Sequence, residues 1–340
     1  MAVGRIAQHA EVSNALASYS DDELASLVAT AREDSVGVGG GSGLLDLGAV
    51  PVFVKQIPLT DRECAHPRST ANLFDLPMSC QCGMGGPSLN AWRELEANLT
   101  VTDLVLSGET ESFPLLYQWR VLPGRVPVAA EHADIDVTVA ALGGDPAVRA
   151  RLTALADASS SLVLFFEYLP LPLRRWLSAD PAAKASRVER QLFEIVAALA
   201  SRELLHMDAH IENMRTDGER IYLTDFGLAT SPRFALTANE RAFVERNATH
   251  DADYAAMRLV NWLVTDVCAM PPSAAMSYAA RNDYVARCAG GDIPHDVPPV
   301  VAGILARHAP AAARMNSFYW RLFDGDVQAE YRAPATTVLS

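Results

Sequence analysis

The alternation of apolar and polar positions divides the chain into strand-like and helix-like stretches. Ser20-Asp21-Asp22-Glu23 precedes Leu24, Leu27 and Val28, the signature of a capped amphipathic helix. Residues 44–47, a Gly48-Ala49 turn and Pro51-Val52-Phe53-Val54-Lys55-Gln56-Ile57 read as strand, turn, strand. Residues 161–168 form an apolar strand closed by Leu169-Pro170. Helices are predicted over 172–177 and 183–205, the second from the stripe Leu192, Ile195, Val196 and Leu199. A Thr216-Asp217-Gly218 turn ahead of Ile221-Tyr222-Leu223 predicts a hairpin over 214–224. Helices follow from Asp251 through Leu263 and around Phe318-Tyr319-Trp320-Arg321-Leu322-Phe323, with a frayed end after Tyr331. The run Ser35-Val36-Gly37-Val38-Gly39-Gly40-Gly41-Ser42-Gly43 is too glycine-dense for a regular element and suits backbone that must approach phosphates closely.

Composition narrows the setting. With 340 residues, 50% of them apolar, the chain can form one large domain or two lobes with cores of their own. A net charge of -13 without any basic run argues against nucleic acid or an anionic membrane as partner. The first residues lack an apolar leader core, and no apolar run reaches the roughly 18 residues needed for a membrane span. A cytoplasmic protein is the expectation. Five cysteines, an odd count, fit reduced thiols better than a disulfide framework. Cys64-x-His66 and Cys80-x-Cys82 offer four zinc-type ligands, but their spacing is tighter than structural zinc sites use, so ordinary thiols are expected.

The chemistry is concentrated in two motifs. His206-Met207-Asp208-Ala209-His210-Ile211-Glu212-Asn213 is followed by Asp225-Phe226-Gly227, H-x-D-x-x-x-x-N and then D-F-G. Phosphoryl transfer asks a protein mainly for positioning and charge neutralisation. Asp208 would orient or accept the proton of an attacking hydroxyl, while Asn213 and Asp225 offer hard oxygen ligands for Mg2+. The hairpin between the motifs would bring Asn213 back beside Asp225. A lysine inside an apolar strand is costly unless paired, so Lys55 needs anionic partners.

In this order the motifs resemble the protein-kinase-like superfamily over residues 35–227. The resemblance implies an α+β, two-lobed fold: a small lobe with an antiparallel sheet and one helix, and a larger, mostly helical lobe. The corresponding division is a helical extension at 1–30, a first lobe at 31–169 with insertions at about 58–89 and 124–160, and a second lobe at 170–340. It implies ATP and Mg2+ as cofactors, with Gly37, Gly39, Gly40, Gly41, Ser42 and Gly43 over the phosphates. Lys55 would contact the phosphates and pair with Glu94 or Glu96, Glu94 being preferred. Phe166 would sit at the gatekeeper position, with the backbone of Glu167 and Leu169 on adenine. His206 would brace the catalytic loop, and Asp253 resembles the buried aspartate that anchors it. Asp208, Lys55, Asn213 and Asp225 would carry catalysis, the last two as metal ligands.

The resemblance implies a hydroxyl acceptor, a protein serine or threonine ahead of a small molecule. Intact Phe226 and the glycine loop favour a protein serine or threonine. His210, where protein kinases typically carry lysine, and the short stretch after Gly227 without an A-P-E signature favour a small molecule, as in aminoglycoside-type phosphotransferases. A nucleotide-binding pseudokinase is the third reading. The insertions could form substrate- or partner-binding surfaces.

Overall fold

The computed structural model describes residues 2–37, 40–268 and 277–333. Two helices open the chain, α1 (Ala2–Ser18) and α2 (Asp21–Ala29). Ser20 caps α2 as its sequence predicts, its hydroxyl accepting Glu23 N–H while the Glu23 carboxylate accepts Ser20 N–H. Strands β1 (Arg32–Gly37), β2 (Gly40–Leu47) and β3 (Val50–Leu59) follow as an antiparallel meander. The glycine-dense stretch is therefore largely built into strands, which corrects the expectation of irregular backbone. Ladder pairing overrides glycine's low strand propensity. At Gly40 the sheet demands glycine, because φ is +113° and a Cβ would collide with Gln56 O of β3.

Next come α3 (Asp61–Ala65), α4 (Ala91–Leu106), β4 (Leu116–Pro123), α5 (Ile135–Ala141), α6 (Pro146–Asp157) and β5 (Ser160–Glu167). The strands so far make one antiparallel five-stranded sheet, ordered β1-β2-β3-β5-β4. The rest is mainly helical: β6 (Leu171–Pro172), α7 (Leu173–Leu177), α8 (Pro181–Ala200), β7 (Met214–Thr216), β8 (Ile221–Leu223), α9 (Ala238–Arg246), α10 (His250–Asp266), α11 (Ser277–Ala289) and α12 (Pro299–Phe323). Strands β7 and β8 form the predicted hairpin, extended by β6. Helix α8 ends at Ala200 rather than at the predicted Leu205, as Glu203 turns the chain at φ +55° and Leu205 bridges to Thr230. The fold is α+β, and no helix among the described residues is long and apolar enough to cross a membrane.

Apolar burial ties these parts together. One cluster runs from Leu16 of α1 through Val54 and Phe165 of the sheet to Phe226, Leu263 and Leu305. A second lies where Trp92 and Leu95 of α4 pack on Ile57, Leu164 and Phe166. A third joins the two insertions, Phe74, Leu76 and Leu89 of one meeting Val139, Val148 and Leu152 of the other. The insertions thus fold on each other, each fully buried apolar side chain contributing about 1.5–3 kcal/mol. Their joint is a fully buried ion pair: Arg151 of α6 donates to both oxygens of Glu63 of α3, at 2.7 and 2.9 Å. Glu63 Oε1 also accepts Ala91 N–H at 2.8 Å, so the same carboxylate holds the start of α4.

Candidate active site

Strand β3 places Lys55 between Ser42 of β2 and Leu164 of β5. Its ammonium donates to Glu94 Oε1 at 2.6 Å and to Asp225 Oδ1 at 2.8 Å. Glu94 is therefore the glutamate that meets the lysine. Glu96, two residues on and turned away by helical geometry, pairs with Arg68 at 2.7 Å instead. Burial opposes the charge on Lys55, but Asp225 and Glu94 outweigh it and hold its pKa above the ordinary lysine value. The carboxylates diverge. Burial pushes Glu94 up to about 7, with Lys55 pulling down and Asp225 pushing up. Burial also opposes ionisation of Asp225, yet the lysine wins and its carboxyl falls to about 2. One ammonium serves two carboxylates, so the cluster carries unspent negative charge when both are ionised.

The loop from His206 to Asn213 is held from below. Asp251 Oδ2 accepts His206 N–H at 2.6 Å and Oδ1 accepts Met207 N–H at 3.0 Å. The anchoring aspartate is thus Asp251, not Asp253: the first turn of α10 points Asp251 at the loop, while Asp253 accepts from Tyr331 and Arg314. His206 is buried, accepts Asp208 N–H on Nδ1 at 3.2 Å, lies with Nε2 3.0 Å from Thr224 O and packs on Phe226. Two non-glycine residues here take left-handed backbone, Met207 at φ +67° and Asp225 at φ +64°. Such strain survives only where surroundings over-determine it, and it concentrates at functional sites.

Asp208 sits on this loop with its pKa raised, burial being the main cause and Asp225 adding to it against His210 and His206. His210 Nε2 lies 3.5 Å from Asp208 Oδ2, and the Tyr254 hydroxyl donates to Oδ1 at 3.4 Å. Arg258 in turn donates to the Tyr254 oxygen at 2.8 Å. Asn213 donates its amide to Asp208 O at 3.1 Å, which leaves Oδ1 as its candidate ligand atom. Thr224 N–H returns to Asn213 O at 2.9 Å, so the hairpin does bring Asn213 and the Asp225 segment together.

These side chains open on one cleft of about 600 Å³ between the sheet and the helical portion. Gly40, Gly41 and Ser42 line it on one side, Phe166, Glu167 and Leu169 at the back, and Asp208, Asn213 and Asp225 on the other. Gly37 ends β1 opposite Gly40, Gly43 pairs within the sheet with Glu33 and Val54, and Gly39 lies outside the described residues. Glu167 donates its N–H to Leu115 O at 2.9 Å. Its carboxylate accepts from Arg5 of α1 at 2.8 and 2.6 Å. Arg5 also donates to Glu111 O and Phe113 O, so the N-terminal helix clamps the back of the cleft.

Among the described residues no group of three or more His, Cys, Asp or Glu is arranged around a metal position. Asn213 and Asp225 are a sparser oxygen pair, the kind that suits Mg2+, which usually keeps waters and takes phosphate oxygens alongside one or two carboxylates. Of the four zinc-type residues, Cys64 is exposed while Cys80 and Cys82 are buried, burial pushing both of these thiols up to about 12.

No protein-family model matches this chain, and no curated protein matches it. The α+β fold and the cleft are what the chain itself offers. Four contributors escaped sequence reasoning: Arg5, Asp251, Tyr254 and Gly83, where an added Cβ would stand 3.2 Å from Asp208 Oδ1. Asp251 had a weak signal, since two acids open α10 and only one can face the loop. Thr60-x-x-Glu63 is a legible capping box, but nothing local announces Arg151 as its partner.

Proposed function

We propose that the protein is a two-lobed, kinase-like phosphotransferase that moves the γ-phosphoryl group of ATP, with Mg2+, to a hydroxyl acceptor. The observation that carries this is Lys55 bonded at once to Glu94 and Asp225, which lie 39 and 170 residues away in sequence, in a cleft that also holds Asp208 and Asn213. A purely structural ion pair has no need of a second carboxylate or an open cleft.

Asn213 Oδ1 and Asp225 would hold Mg2+, which when bound neutralises phosphate charge. Glu94 positions the Lys55 ammonium, and Lys55 would meet the phosphate oxygens from the sheet side. Phe166 and Leu169 would enclose the base. Asp208 would take the proton as the acceptor oxygen bonds to the γ-phosphorus and the bridge to ADP breaks. Its raised pKa and position in the cleft suit it to that role.

The test is calorimetric titration of the purified protein with ATP and Mg2+, followed by γ-labelled ATP turnover. Metal-dependent nucleotide binding, with turnover lost in Asp208→Asn but binding kept, is the expected result. Absence of nucleotide binding refutes the reading, and binding without Asp208-dependent turnover leaves a nucleotide-binding pseudokinase.

A further inference from the structure

We infer that the backbone at Gly83 forms one wall of the acceptor subsite, and that the acceptor is a small-molecule hydroxyl entering through the cleft rather than a residue of an extended polypeptide. This rests on the phosphotransferase reading above. It also departs from the protein acceptor favoured by the intact D-F-G motif.

Gly83 lies directly against Asp208: a Cβ built there would stand 3.2 Å from Asp208 Oδ1, and φ is +64°. Tyr254 donates to the same oxygen. One side of the carboxylate is therefore closed, which leaves Oδ2, on the His210 side, for an acceptor. The closure is anchored. Gln81, only 2% exposed, donates to Leu228 O at 3.3 Å, His132 Nε2 lies 2.8 Å from Gly85 O, and Gly86 packs on Cys80 and Leu142. The second insertion and the segment after Gly227 thus hold this loop, itself part of the first insertion, in place.

The stretch after Gly227 makes a second point. By the kinase resemblance a polypeptide presented to Asp208 would dock on this stretch, and the stretch is already engaged by other parts of the chain. Leu228 O accepts from Gln81, Ala235 N–H donates to the Thr70 hydroxyl at 2.8 Å, and Glu240 of α9 pairs with Arg93 of α4 in full burial. Displacing these contacts would strand a buried arginine and a buried amide, each costly. A small hydroxyl compound displaces nothing. Its oxygen would attack the γ-phosphorus, the bond to the bridging oxygen would break with its electron pair leaving on ADP, and the hydroxyl proton would pass to Asp208.

The experiment uses the full chain with γ-labelled ATP and Mg2+ against two fractions of one cell lysate: a deproteinised small-molecule extract, and the polypeptides freed of small molecules. Asp208→Asn is the blank. Gly83→Ala is compared with Gly48→Ala, which has the same φ of +64° but open space around its Cβ and so reproduces the backbone strain alone. Expected is Asp208-dependent label in the small-molecule fraction, cut about tenfold to a hundredfold by Gly83→Ala but not by Gly48→Ala, with ATP affinity equal in all. Asp208-dependent label on polypeptides, none in the small-molecule fraction, or equal turnover in the two alanine variants overturns the inference while ATP binding stands. A protein that does not bind ATP and Mg2+ refutes the phosphotransferase reading itself, and this inference with it.

Discussion

Helix α4 is flanked by two acid–base contacts that are finished in different ways. At its start, Glu63 meets Arg151 with both side chains 0% exposed, and its oxygens also accept from Thr60 and Ala91. One positive charge meets one negative charge. In its first turn, Glu94 meets Lys55, which is shared with an Asp225 that is 43% exposed. There one positive charge is shared between two carboxylates at the edge of a cleft. A closed, neutral pair has little left to bind and holds parts together, whereas an open cluster with charge to spare can still take up a cation.

The largest effects should separate the two regions by readout. Asp225→Ala should abolish metal-dependent nucleotide turnover, and Asp208→Asn should slow transfer by about 10²–10⁴-fold, both with thermal unfolding near wild type. Turnover surviving Asp225→Ala would mean that the open cluster has no chemical role. Lys55→Met removes the shared cation and should weaken ATP affinity in calorimetry as well as turnover; retained activity would refute the role assigned to that strand.

Arg151→Met strikes the closed pair. It leaves a buried carboxylate unpaired and should lower the unfolding free energy by about 3–5 kcal/mol in denaturant melts, with loss of activity only through loss of folded protein. If turnover falls while stability holds, the contrast between the regions fails.

Acidification sharpens the same contrast. Burial opposes ionisation of Glu63, but Arg151 outweighs it and sets the folded pKa below the ordinary 4.5. Its contribution to stability is therefore complete above about pH 4.5 and is lost as pH falls through the folded value. Acid melts of Glu63→Gln should show a lower plateau and a shallower fall below pH 4.5 than wild type.

The smallest change expected is at the back of the cleft. Arg5→Met breaks a part-buried bidentate contact to Glu167 and should cost about 1.5–3 kcal/mol of stability, with a modest rise in KM for ATP and little change in kcat. An unaltered KM would mean that the N-terminal helix does not brace the nucleotide end of the cleft.

Short-range chemistry was the legible part. The Ser20 cap, the strand around Lys55, the hairpin at 214–223 and the apolar run ending at Glu167 each depend on neighbours within a few residues, and their patterns announced them. The choice of Glu94 over Glu96 was nearly legible, because helical spacing allows only one of them to face the lysine. Asp253 was misassigned because two acids separated by one residue both fit the opening turn of α10, and only packing decides which meets the loop. The glycine run was misread because its pairing with β3 is a property of the sheet.

What the chain by itself determined was the chemistry on offer: a lysine in an apolar strand, an aspartate and an amide on one loop, and a second aspartate after a hairpin. Tertiary structure decided how those groups are used. It brought Lys55 to two carboxylates, swung Arg151 onto Glu63 so that both insertions hold α4, and laid Gly83 against Asp208. Local propensity acts over a few residues and can be read in one dimension. Burial, ion pairing and steric closure act between residues tens to hundreds of positions apart, and only the folded chain brings those together.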